Sequence, residues 1–78
     1  MNTSNYMIKE VRRAARNNDM TFKQSNVKIN GARLWKLVDR KTGELLISNY
    51  QLNSAYEDSQ SGYIDSYDRK KGLFVGIA

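Results

Sequence analysis

The chain contains no cysteine and no histidine. Without thiols there is no disulfide to stabilise a fold, no thiolate nucleophile and no cysteine-bound zinc, a make-up that fits a reducing cytosol. Without imidazole the usual general base and the commonest metal ligand are gone. Acid or base chemistry near neutral pH then falls to eight carboxylates. Long apolar runs are missing as well. No window approaches the roughly 18 apolar residues of a membrane helix, and the N-terminal stretch lacks the apolar run of a signal peptide. Size sets a further limit. A chain of 78 residues makes one domain, residues 1–78, that buries only about 60 to 65 per cent of its extended surface, too little to enclose a large pocket. The expectation is a soluble, cytoplasmic protein with no cofactor, no metal and no enzymatic activity.

What the chain does have is positive charge, unevenly spread. Net charge is +5, yet residues 1–48 hold ten Lys and Arg against four Asp and Glu, whereas residues 49–78 hold three against four. Like charges held together repel unless something uses them, so the first part of the chain points to a polyanion or an acidic protein surface as partner. The alternative is a solvated face that serves solubility alone.

Residues 5–17, NYMIKEVRRAARN, place Met7, Val11, Ala14 and Ala15 on one stripe of a 3.6-residue period with Ile8 beside them, which predicts a first helix. Thr3 or Ser4 is its expected cap, and the NND run after it a natural exit. Lys9, Arg12, Arg13 and Arg16 fall off the stripe as a basic flank. Residues 21–29 are rich in β-formers and lead into Asn30-Gly31, the strongest short hairpin signal, because a type I′ turn needs positive φ at both central residues. A two-residue turn sets Ile29 opposite Ala32, Lys28 opposite Arg33, Val27 opposite Leu34 and Asn26 opposite Trp35. One face then carries Val27, Ile29, Leu34 and Val38; the other carries Lys28, Arg33 and Trp35, with Phe22 and Leu37 farther along. The first is expected to be the core, joined by Leu45 and Ile47 from a third strand that follows the turn DRKTGE and its closing glycine.

Asn49 is the expected cap of a second helix in which Leu52, Ala55, Tyr56, Ser59 and Tyr63 recur at helical spacing and Gly62 supplies the stop. The final stretch, DRKKGLFVGIA, reads as a short fourth, edge strand or as a docked tail. The fold class expected is therefore α+β: an N-terminal helix, a three-stranded antiparallel sheet, a second helix and a short C-terminal strand.

This order of elements resembles that of double-stranded RNA-binding domains, although the second helix lacks their lysine-rich start: residues 50–56 contain no basic residue. Arg33 and Trp35 alternating on a strand, then TGELLIS, then SAYED, are similar to a pattern in the three-strand-plus-helix DNA-binding domains of plant ethylene-response factors and phage-integrase arm modules. That likeness spans residues 26–58. It implies a sheet face in the major groove, with arginine reading guanine edges and aromatic rings packing on sugars and bases. The compact make-up, free of cysteine and proline, also resembles small phage and prophage accessory proteins.

The candidate contact residues are thus Lys28, Arg33 and Trp35 on the sheet, with Arg12, Arg13 and Arg16 on the first helix. Their expected partner is DNA in preference to RNA, or else an acidic host protein met by the same basic and aromatic face. Trp35 has a competing role as a core residue beside Phe22, Leu37 and Leu46, covered by a helix or by the GLFVG stretch. Of the carboxylates, Asp39 with Glu44 and Asp65 with Asp68 are the pairs worth testing as metal or catalytic sites, and each reads better as a turn former or a solvated charge.

Overall fold

A computed structural model describes residues 3–70 and 72–74 of the chain. The elements run α1 (Thr3–Asn17), β1 (Met20–Ile29), β2 (Ala32–Asp39), β3 (Leu45–Tyr50), α2 (Leu52–Gln60), β4 (Tyr67–Asp68) and β5 (Leu73–Phe74). β1, β2 and β3 form an antiparallel sheet in that order, and both helices contribute to a single core against it. The α+β architecture expected from the sequence is the one observed. Its last strand pairs with β4 in a separate two-stranded ladder, not along the edge of the main sheet.

The stripe of α1 is buried through Val11, Ala14 and Ala15. The helix leaves at the NND run, where Asp19 takes the left-handed conformation with φ 54°. Thr3 and Ser4 lie inside α1 and so are not its caps. The turn at Asn30-Gly31 has positive φ at both residues (53° and 81°), as a type I′ hairpin requires. Next to the turn the expected register holds, with Ile29 opposite Ala32 and Lys28 opposite Arg33. Farther along, Trp35 pairs with Gln24 and not with Asn26, because residues 25–27 of β1 span what Leu34 alone spans on β2. Two extra residues amount to one full pleat, so the excursion shifts the register without exchanging faces. Ser25 holds it together: its hydroxyl accepts from the Val27 amide at 3.0 Å and its carbonyl accepts from Arg33 Nη1 at 3.3 Å.

The core face is the reverse of the one expected. Met20 and Phe22 of β1, Trp35 and Leu37 of β2, and Tyr50 of β3 are buried together with Val11, Ala15, Ala55, Ile64 and Tyr67. Val27, Ile29 and Leu45, expected inside, are 47%, 50% and 55% exposed. Leu34 and Val38 are buried, but outside the main cluster. The physical reason is size and reach. Methionine, phenylalanine, tryptophan and tyrosine together bury far more apolar surface than the valines and isoleucines near the turn. The hairpin tip is exposed throughout residues 26–33, so its apolar residues never reach the core.

Gly43, with φ 77°, closes the β2–β3 turn as expected. Asn49 does not cap α2. It sits in β3 at φ 54°, where the strand carries one residue more than β2 between Ile47 and Tyr50, and Gln51 takes the N-cap position with no side-chain hydrogen bond. At the other end Ser61 is the C-cap and Gly62 follows at φ 83°. The Tyr63 amide donates back to the Asp58 carbonyl at 2.9 Å, which satisfies an otherwise orphan helix carbonyl.

Candidate nucleic-acid interface

Trp35 is 4% exposed, so it offers no ring to a base. Its indole stacks on Phe22 with centroids 4.4 Å apart and planes 4° from parallel, a diagonal pair across β1 and β2. Above it lies Arg12 of α1, whose guanidinium carbon is 5.8 Å from the ring centre. The tryptophan two residues from Arg33 on β2 is therefore a core residue, and the cation over its ring comes from the helix. This is a correction to the expected contact role of Trp35, and it removes the aromatic half of the likeness to sheet-reading DNA-binding domains.

The cations themselves are exposed. Lys9, Arg12, Arg13 and Arg16 lie along the outer side of α1 and, with Asn5 and Ile8, line a shallow depression of about 540 Å³. Arg12 and Arg16 line a second depression, of about 300 Å³, with Arg40 and the β1 residues Met20, Thr21 and Phe22. The β2–β3 turn carries Arg40 to this place because the Arg40 amide donates to the Asp19 carbonyl at 2.9 Å, fastening the turn to the exit of α1. Arg40 was not among the residues the sequence singled out. Its position in DRKTGE gives no hint of a neighbour on α1; only the closed hairpin and helix exit bring it there.

Among the described residues two ion pairs form, Arg13 with Glu10 at 3.5 Å and Arg69 with Asp39 at 2.7 Å. Lys9, Arg12, Arg16 and Arg40 are in neither. Lys28 and Arg33 form a separate pair: they face each other across the hairpin tip, both exposed, and line neither of these depressions. Like charges set directly opposite on paired strands destabilise the pair.

Asp39, Asp58 and Asp68 have structural employment. Asp39 accepts from the Lys41 and Thr42 amides at 2.9 and 3.0 Å while its other oxygen takes Arg69 Nε. The Thr42 amide, the Arg69 hydrogen bond and the Lys41 amide hold its pKa down, from 3.8 to about 2. Arg69 also donates to the carbonyls of Asn18 and Asp19, so one guanidinium ties the β4 region to the α1 exit and the β2–β3 turn. Asp68 accepts from the Lys70 amide at 2.8 Å as a turn former. The Tyr50 hydroxyl donates to the Asp58 carboxylate, and burial followed by that hydrogen bond raises the Tyr50 pKa. Among the described residues no group of three or more acidic side chains is placed to hold a metal ion. None of their helices is long and apolar enough to cross a membrane.

Compared with models of known families, with curated proteins and with solved structures, the chain matches none.

Proposed function

We propose that this protein is a non-enzymatic nucleic-acid-binding protein that grips the phosphate backbone of duplex DNA through α1. The observation that carries the reading is the row Lys9, Arg12 and Arg16, joined by Arg40 from the β2–β3 turn, all exposed and none engaged in an ion pair among the described residues. Phosphate contact asks for unneutralised guanidinium and ammonium groups at a common surface, and binding energy comes from the counterions they displace. Single-stranded bases would ask for exposed aromatic platforms. With Trp35 stacked inside, and the half-exposed Tyr6 of α1 engaged edge-to-face by Tyr56, duplex is the better ligand, and the surface is suited to holding it without reading sequence.

The test is affinity for a short DNA duplex, measured by fluorescence anisotropy across a salt series, with duplex RNA and single-stranded DNA as comparisons. With three to five phosphates neutralised, log K should fall against log salt with a slope of about −3 to −4.5. A flat salt response, or binding no tighter than to single strands, would sink the reading. A protein partner is favoured by a different observation: Lys28 and Arg33 meet at a hairpin tip that also exposes Val27 and Ile29.

A further inference from the structure

β2 begins at Ala32, but its pairing with β3 begins only at Trp35, opposite Tyr50, after which the chain turns into α2. Among the described residues, residues 32–34 therefore have β1 on one side and no strand on the other. In a two-residue hairpin the residues flanking the turn form the hydrogen-bonded pair, here Ile29 with Ala32. The next pair, Lys28 with Arg33, is then the non-bonded kind, and the Arg33 backbone N–H and C=O turn towards the open side. A groove of about 510 Å³ lies against this edge, between Ile8 of α1, Ile29 and Arg33 of the hairpin, and Leu52 and Asn53 of α2. That volume is in the range of ligand-binding clefts, roughly 300 to 1,000 Å³.

We propose that this groove takes an extended, acidic peptide segment of a partner protein, which adds as a short strand along residues 32–34 of β2. The backbone edge supplies hydrogen bonds, and Ile8, Ile29 and Leu52 give the groove an apolar lining for the added strand. Charge decides the rest of the partner's chemistry. No Asp or Glu lines the groove, whereas Arg33 does, and Lys28 stands directly opposite it. Carboxylates on the added strand would relieve that like-charge pair. A second copy of this chain is the wrong occupant, because edge-to-edge pairing would bring Arg33 and Lys28 of both copies together. Exposed cations on a strand edge are a common guard against such self-pairing. A nucleic acid is also a poor fit, having no peptide backbone to complete the ladder. The groove shares Ile8 with the α1 depression but none of its cations, so its failure would leave the DNA reading untouched.

An acetylated, amidated hexapeptide of alternating valine and glutamate is the probe, titrated into the ¹⁵N-labelled full chain. The expected result is saturable shifts of the amides at residues 32–34 and of Leu52 and Asn53, with affinity at least tenfold weaker in Arg33→Glu. The same peptide with lysine for glutamate should not bind. Arg33→Pro, which removes the outward amide, should abolish binding, and retained buried-Trp35 fluorescence would show that the fold is intact. Arg33→Glu, an exposed side-chain change, carries the test if the proline variant unfolds. Shifts confined to the α1 cations, equal binding of the lysine peptide, or a peptide-free dimer broadening the same amides would each overturn the proposal.

Discussion

Replacing Trp35 by alanine removes an indole that stacks on Phe22 and lies beneath Arg12. The loss should be about 3 to 5 kcal/mol, the range for deleting a large aromatic from a packed core. For a domain whose whole stability is of order 5 to 15 kcal/mol, that removes a large share of it, and nearly all of it at the low end. Urea denaturation checks the magnitude. The wild-type emission should be blue-shifted and poorly quenched by iodide, as a buried indole requires. At Asp39 the prediction concerns pH. Its folded pKa of about 2 lies below the ordinary 3.8, so the stability it contributes is present above the unfolded value and lost as pH falls from about 4 towards 2. Asp39→Asn should lower stability at neutral pH, and its difference from wild type should shrink across that window. A difference that stays constant down to pH 2 would mean that folding does not lower the Asp39 pKa.

Among the elements, the β1–β2 hairpin is where the sequence was both most and least informative. Asn30-Gly31 fixed the turn because its backbone demand is local: two positive φ values at adjacent residues. The glycine tests this directly. A Cβ at Gly31 meets nothing within 4 Å, so any cost of Gly31→Ala is conformational. It should come to about 1 to 2 kcal/mol, the penalty for placing an L side chain in the left-handed region, visible as a lowered melting temperature and faster amide exchange at the tip. Which face of the hairpin is buried is not a local matter. Counting back from the turn made Val27 and Ile29 look like core, but the helices do not cover the tip. The alternation Met20, Phe22 and Trp35, Leu37 was there in the sequence and carried more apolar area. The excursion at residues 25–27 had no signature that could be read beforehand. For the same reason Arg12, Arg13 and Arg16 could be grouped from helical spacing alone, while Arg40 could not.

On the scale of the whole molecule the question is whether the basic surface acts as one unit. Arg12, Arg16 and Arg40 share a depression although they come from two elements far apart in sequence, held together by the Asp19–Arg40 backbone contact and by Arg69 across the same corner. If phosphates bind there, each cation removed should release one fewer counterion. Arg16→Ala and Arg40→Ala should then each flatten the salt dependence of DNA affinity by about 0.9 in log K per log salt, and the double variant by about 1.8. Neither side chain is in an ion pair among the described residues, so each substitution should shift stability by no more than about 0.5 kcal/mol. Lys41→Ala supplies the control, an exposed cation of the same turn that lines neither depression. If Lys41→Ala flattens the slope as much as Arg40→Ala, the effect is net charge and not the shared surface. If the slope keeps its full value in the double variant, DNA does not touch this corner, and α1 serves only to cover the core with Val11, Ala14 and Ala15.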